Sequence, residues 1–470
     1  MESVKRYTGF GTGICQGRGC MSQVAGLLHR QGAPAERLFP TTPRSPLQPT
    51  ELGQLAVGGE LPPLFPGPQA PATLPPPSMP PAPVALEPLP ERAEVVIIGG
   101  GIMGLATAYH LAKNGITDVV VLERAYINSG ASGRNGGGIR EQWSTEQNVL
   151  LMNESIRICS EFAVELGINV WLRQGGYLFV TNKPEQMAAI ERNVALQNRL
   201  GVPTRILKPQ EATQIVPDLN TQDLLGACYN PDDGTLFPWP FLWGYANGAK
   251  AKGAKIITFT AVTGIDIEAG RVTGVVTERG RIKCNLIINA AAAWAPEIGR
   301  LAGVTFPNKP ERHEILVTES LKPFLKPLVS ELGTGLYFSQ SGRGEIVGGL
   351  GDPEEPEGVE MRSSLRFAVR MSRALVNRIP RLAHVKVLRQ WAGCYDRTPD
   401  GNPILGYVDE VKGFFQVHGF VGHGFMMAPA VSKYVGLYLA KGQEHSIFKD
   451  NRAARFKEAG TNRAETLIIG

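Results

Sequence analysis

Cysteine is scarce in this chain: there are six in 470 residues, and only Cys15 and Cys20 stand close together. That spacing excludes a disulfide framework and makes a reducing, cytoplasmic compartment the expectation. Long apolar runs are missing too. No stretch of ~18 consecutive apolar residues occurs, so no transmembrane segment is expected. The first residues also lack the continuous apolar segment of a secretory signal. Nowhere do five Lys or Arg follow one another, and the net charge is only +5. A nucleic-acid partner therefore has no electrostatic footprint, while a mild attraction for anionic small molecules remains. No internal repeat is present. What the chain does have is ordinary: 43% apolar and 19% charged residues are enough to bury a sizeable core. Its length suggests two or three domains.

Composition divides the chain into zones. Residues 1–30 combine a Gly- and Cys-rich turn with a short apolar helical stretch. Residues 31–92 are Pro-rich, and thirteen of residues 61–90 are proline. Proline cannot build helix interiors or central strands, so an extended tether or connector is expected there. A globular pattern begins at Ala93. Glu94–Ile98 and Asp118–Glu123 read as buried strands flanking a helix over Ile102–Asn114, a βαβ unit. Further helices are expected over Lys183–Leu200 and Ser363–Arg378, and strands over Lys255–Phe259, Val272–Glu278 and Gly344–Gly349. The fold class is α/β or α+β, with two intertwined domains.

Within the βαβ unit, Gly99-Gly100-Gly101-Ile102-Met103-Gly104 matches G-x-G-x-x-G. Gly99 permits the tight turn, Gly101 lets backbone approach a pyrophosphate, and Gly104 allows helix to pack on strand. The helix N-terminus supplies free N–H groups and the positive end of a dipole. Glu123 lies nineteen residues beyond Gly104, at the end of the second strand, where an acid accepts hydrogen bonds from ribose hydroxyls. Such a motif alone does not separate NAD from FAD. The next stretch, Ser129 to Gly138, is small, polar and flexible, suited to backbone contact with a pyrophosphate and a flavin face. Near the other end, Gly419 to Pro429 forms a glycine loop feeding a helix. That geometry suits the pyrimidine end of a flavin, where negative charge builds on reduction. The three pieces together point to FAD. Ile102, Met103, Arg124, Ser132, Arg134, Asn135, Gly136, Gly422, Gly424, Phe425 and Met426 fall within or beside these pieces and are taken as cofactor-binding.

The stretches VVIIGGGIMGLATAYHLA, GGGIREQW, RQGGYLF, LQNRLGVPTRIL, RQWAGCYDRTPDGNPILG and GFVGHGFMMAPAV resemble the D-amino-acid-oxidase superfamily of FAD enzymes. Within it, the β subunits of heterotetrameric sarcosine oxidase and of dye-linked L-proline dehydrogenase are most alike. The likeness covers Glu94 to Gly442. It implies a Rossmann-like FAD-binding domain built from discontinuous segments (93–172, 236–305 and 385–446), with Val262, Ala291 and Gly393 among its cofactor contacts. A substrate domain (173–235 and 306–384) would roof the flavin with a mixed or antiparallel sheet, leaving 447–470 as a tail. The implied reaction is oxidation of the C–N bond of an amino or imino acid by hydride transfer to flavin N5.

By the same resemblance, Arg140 would grip the substrate carboxylate, Tyr337 would be an active-site aromatic, and His423 would act at the flavin-end loop mainly through its backbone. Gly393 stands where a covalent cysteine tether occurs in related enzymes, so FAD is expected to be non-covalent. Gly234–Trp239 lacks the histidine that carries FMN elsewhere, leaving only non-covalent FMN at a subunit interface open. Ile346 and Met426 replace lysines of oxygen-using members, which favours a dehydrogenase passing electrons to hetero-oligomeric partner subunits. An oxygen-using amine oxidase, and an FAD-binding electron-transfer or assembly subunit without turnover, remain the alternatives. Separately, Cys15-Gln-Gly-Arg-Gly-Cys20 resembles the second half of a bacterioferritin-associated-ferredoxin-like 2Fe–2S domain. Such a cluster takes four thiolates. A cluster completed by another subunit and a vestigial helix-turn both stay open.

Overall fold

The structure is a computed structural model, and it describes residues 20–33, 49–64, 87–458 and 464–468. Val95–Ile98 and Val119–Leu122 are apolar and buried along their whole length, as parallel strands covered on both faces must be. They form the middle of a six-stranded sheet ordered Ile404–Tyr407, Phe414–His418, Leu286–Asn289, Val95–Ile98, Val119–Leu122, Lys255–Ile257. All neighbours run parallel except the Ile404–Tyr407 edge. Alternate side chains separate to opposite faces. Val95, Ile97, Val119 and Val121 pack under the helices Ile102–Lys113, Pro238–Ala251 and Gly424–Lys441. Val96, Ile98, Val120 and Leu122 pack against an antiparallel meander running from Val262 to Lys283.

The second body is a nine-stranded sheet, antiparallel apart from the pairing of Leu328–Glu331 with Tyr177–Thr181. One face buries Leu178, Val180, Leu316, Phe338 and Ile346 beneath the helix Leu365–Arg378, through Phe367, Met371 and Leu375. The opposite face turns Tyr177, His313, Tyr337, Gly393 and Tyr395 toward the glycine loops of the parallel sheet. The cleft lies between the two sheets. The expected helices and strands are present with ends shifted by one or two residues, for example Ile102–Lys113, Pro184–Arg199 and Leu365–Arg378.

Two stretches differ from the sequence reading. The strand Lys386–Arg397, assigned to the cofactor segments, hydrogen-bonds along Lys309–Ser320 in the nine-stranded sheet. Only its cleft-facing side chains belong with the cofactor loops. Part of the Pro-rich zone is docked and not a tether. Thr50–Glu51 pairs with Lys386 and Val387 at the sheet edge, and Leu52 is fully buried at the start of the turn of helix Leu52–Ala56. Arg373, on the helix Leu365–Arg378, donates to the carbonyls of Ala56 and Gly59, holding the segment against that helix. Leu52 and Leu55 add apolar contact to this docking. The helix Met21–Arg30 forms where an apolar stretch was read, and none of its residues is buried. Cys15 lies outside the described residues, while Cys20 precedes that helix. Among the described residues, no helix is long and apolar enough to cross a membrane.

Candidate active site and dinucleotide cleft

A cavity of ≈ 400 Å³ runs from the first glycine loop to the face of the nine-stranded sheet. At one end its wall is backbone. Gly99 has φ +118, and a Cβ there would lie 2.4 Å from the carbonyl oxygen of Ala290. A Cβ on Gly104 would lie 1.9 Å from the Gly99 carbonyl oxygen, so only glycine lets the helix start this close to the strand. Gly101 faces Ser132, whose Oγ accepts the Ile102 N–H at 3.0 Å. The small-residue loop is thus laid across the helix N-terminus, where an anion is favoured. The Glu123 carboxylate is aimed by two amides, Gly100 N–H and Ala125 N–H, both at 2.8 Å. Beside it Arg124 stacks on Trp294, 4.0 Å from the ring centre. Burial lowers the Arg124 pKa, and Glu123 and Glu297 oppose that shift.

The far loop is held by a buried carboxylate. Asp396 accepts the N–H of Gly419 at 2.6 Å and of Val421 at 3.2 Å. Burial raises its pKa to about 6, against the pull of these amides. Gly422 has φ +83, and a Cβ there would run into the ring of Tyr395. The loop therefore lies flat on the roof sheet before the helix Gly424–Lys441 begins.

At this end the wall is made of side chains. His313 Nε2 lies 3.0 Å from Tyr337 Oη, and the His313 ring stacks on Tyr395 with centroids 4.5 Å apart. Burial, aided by Arg397, holds the His313 pKa at about 3, so the ring is neutral. Burial likewise keeps Tyr337, Tyr395 and Tyr177 protonated. His423 is neutral too, its pKa pushed far down by burial and by Arg140. Arg140 Nη2 sits 3.3 Å from His423 Nε2. A guanidinium can only donate, so that nitrogen is the acceptor and the imidazole proton is on Nδ1.

Of the residues singled out from sequence, Gly99, Gly101, Ile102, Met103, Glu123 and Arg124 line the cavity, as do Ser132, Arg134, Asn135 and Gly136. So do Val262, Ala291, Tyr337, Gly393, Gly422, His423, Gly424, Phe425 and Met426. Gly104 stands behind the wall as the helix-packing glycine. Arg140 also stands behind it, fully buried. It stacks 3.9 Å from the Trp143 ring and donates to the carbonyls of Gln142 and Leu467. Burial lowers its pKa, opposed by Tyr177, Glu465 and Asp233. The Cys394 thiol, next to Gly393, is pushed up to about 12 by burial and is inert. Sequence reasoning missed Tyr177, Trp294, His313, Tyr395 and Asp396. Tyr177, Tyr395 and Asp396 lie inside quoted motifs, but nothing in the spacing of Trp294 and His313 signals convergence. Among the described residues, no group of three or more His, Cys, Asp or Glu could hold a metal ion.

A model of the family described as FAD dependent oxidoreductase matches residues 94–436, and one described as Sarcosine oxidase A3 domain matches residues 1–59. The chain is 33% identical to sarcosine oxidase subunit beta of Rhizobium meliloti, over 77% of this chain and 88% of that one. It is 30% identical to mitochondrial sarcosine dehydrogenase of Homo sapiens over 80% of its length, but spans only 42% of that protein. Among solved structures, L-proline dehydrogenase from P. horikoshii superposes with a TM-score of 0.75 at 37% identity, covering 78% of this chain and 99% of that one. The lining suits a flavin dinucleotide. Gly99 and Gly101 line the cleft with bare backbone, Glu123 is fixed at the strand end, and the helix at Gly424 points its N-terminus into the far end.

Proposed function

The chain belongs to the FAD dependent oxidoreductase family, and from that premise we propose that it dehydrogenates the C–N bond of an amino or imino acid. The candidate substrates are of the proline, hydroxyproline, sarcosine or opine class. The observation that carries this reading is that the dinucleotide cradle opens directly into a chamber lined by buried, neutral, hydrogen-bonding rings. FAD, when bound, supplies the acceptor at N5 for the hydride leaving the substrate carbon. Gly99, Gly101, Ser132 and Glu123 would hold its nucleotide half, and the Gly419–Gly424 loop its flavin end. His313 and Tyr337 orient the substrate nitrogen. The burial that keeps His313 uncharged also disfavours an ammonium, so the amine is held in the neutral form that can release a hydride. Ile315, Leu328 and Phe420 exclude water. Arg140 orients His423 from behind and is the group assigned to the substrate carboxylate.

A second cavity, of ≈ 640 Å³, shares Arg134, Asn135 and Gly136 with the first. Trp171, with φ +55 and half exposed, stacks on Phe237, and Arg343 lies 5.6 Å over the same ring. A planar anionic group such as non-covalent FMN suits this lining, placed at the boundary with a partner subunit that takes the electrons. Similarity to a sarcosine oxidase subunit supports hetero-oligomeric assembly. A 2Fe–2S cluster at Cys15 and Cys20 would need two further thiolates from such a partner.

The test is anaerobic loss of the oxidised-flavin absorbance band with L-proline, D- and L-hydroxyproline, sarcosine and opines, with Arg140→Lys as control. Bleaching by one of them, weakened in the control, supports the reading and names the substrate. Bound FAD that none of them reduces would overturn it in favour of a non-catalytic flavoprotein subunit. The flavins released on denaturation, FAD alone or FAD with FMN, decide the second site.

A further inference from the structure

Arg140 carries a charge with no carboxylate bonded to it among the described residues, although it is fully buried, and its Nε has no hydrogen-bond partner. Such a group is costly unless an anion can reach it. One side of the guanidinium touches His423, whose ring lines the cleft. The same nitrogen, Nη2, donates to the carbonyl of Leu467, in a short segment over residues 464–468.

That segment lies across the start of the helix Glu146–Leu166, and Glu465 seats it. Its carboxylate accepts the N–H of Ser144 at 3.1 Å, Thr145 Oγ1–H at 3.2 Å and Asn148 Nδ2–H at 2.9 Å. The Glu465 amide donates to the Asp400 carbonyl at 3.0 Å. Gly401, with φ +71, makes room for Ile468, since a Cβ there would come within 2.4 Å of Ile468 Cδ1. Hydrogen bonds, most of them to the buried Glu465 carboxylate, and one buried apolar residue, Leu467, hold it in place without strand pairing. A segment so attached opens at small free-energy cost compared with the core.

We propose that residues 464–468 form a displaceable strap, in which the Leu467 carbonyl holds the place at Arg140 that a substrate carboxylate takes on binding. This rests on the amino-acid reading above. A carboxylate pairs with a guanidinium through two parallel hydrogen bonds between opposite charges, where the Leu467 carbonyl offers one bond to a neutral acceptor, so the exchange favours the ligand. Strap and carboxylate then compete for one guanidinium, and each weakens the other by the same factor.

The experiment uses the FAD-loaded protein and benzoate as carboxylate probe, with benzamide as its neutral counterpart. Binding is read from perturbation of the flavin spectrum, and strap order from hydrogen exchange at the Glu465 and Thr466 amides. Benzoate should speed exchange at these amides in the wild type, and benzamide should not. Glu465→Gln, which loosens the strap, should tighten benzoate by about 3- to 10-fold, within the range of such couplings, and leave benzamide unchanged. Unchanged exchange with benzoate, or benzoate binding unaltered or weakened in Glu465→Gln, overturns the strap, as does failure of benzoate to perturb the flavin. If benzoate loosens the strap while no amino acid reduces the flavin, the strap stands and the substrate reading falls. If amino acids reduce the flavin with exchange unchanged, the strap falls alone.

Discussion

The two ends of the cleft are built from different materials. At the nucleotide end the wall is backbone: Gly99, Gly101 and the helix start at Ile102, with Glu123 aimed by the amides of Gly100 and Ala125. These groups lie within a few residues of one another or at a fixed spacing along one βαβ unit. At the substrate end the wall is Tyr177, His313, Tyr337, Tyr395 and His423, from five separate elements. The nucleotide end depends on the absence of side chains. The substrate end depends on their burial, which keeps every one of these rings uncharged. Damage at the first should therefore cost cofactor and fold together, and damage at the second should cost catalysis alone.

Gly104→Val tests the first half most severely. Its Cβ would sit 1.9 Å from the Gly99 carbonyl oxygen, a backbone atom that cannot turn aside as a side chain could. A loss of more than ~4 kcal/mol is expected, enough to abolish flavin-loaded protein, measured as flavin absorbance per chain and by chemical denaturation. A stable, FAD-replete variant would break the comparison. Tyr337→Phe tests the other half. It strips His313 Nε2 of its hydroxyl partner within a buried chamber. A cost of roughly 1–3 kcal/mol follows, about 5- to 150-fold in kcat/KM, with FAD content unchanged. Loss of FAD from this variant would show that the two ends are not separable.

The effect of Asp396 is smaller and depends on pH. Its pKa is raised from 3.8 to about 6 in the folded state, so the native protein holds the proton more tightly than the unfolded chain. The stability this carboxyl contributes is complete below the unfolded value and is lost as pH rises through about 6. Asp396→Asn, permanently neutral, escapes that loss but weakens the loop contacts at every pH. The stability difference, variant minus wild type and read from Tm, should therefore move in the variant's favour by about 2 kcal/mol between pH 4.5 and 7. A flat difference would mean that the carboxyl is not desolvated. Least of all should happen in Cys394→Ser. The thiol is buried and inert, so denaturation should release all FAD from variant and wild type alike. Flavin retained on the wild-type chain would show a covalent bond.

Legibility followed the same division. The glycine loop, Glu123 and the Gly422–Met426 loop were readable because each is a local pattern whose residue types follow from backbone geometry. Strands such as Val95–Ile98 and helices such as Pro184–Arg199 were readable from period and composition. His313 was not, because one histidine in a strand that alternates between core and cleft carries no mark of the face it takes. Leu52 was not readable either, since a short apolar pair beside a Pro-rich stretch predicts no docking site until the edge of Lys386–Arg397 is there to receive it.

By itself, the sequence determined the βαβ unit, the dinucleotide cradle and the family, because these rest on neighbouring residues and on the steric demands of glycine. Only the tertiary structure decided which rings meet over the cleft, that Arg140 lies one layer behind its wall, and that Leu467 occupies one of its donors. Those outcomes depend on contacts between residues hundreds of positions apart, and on burial that sets protonation, neither of which is encoded in local spacing.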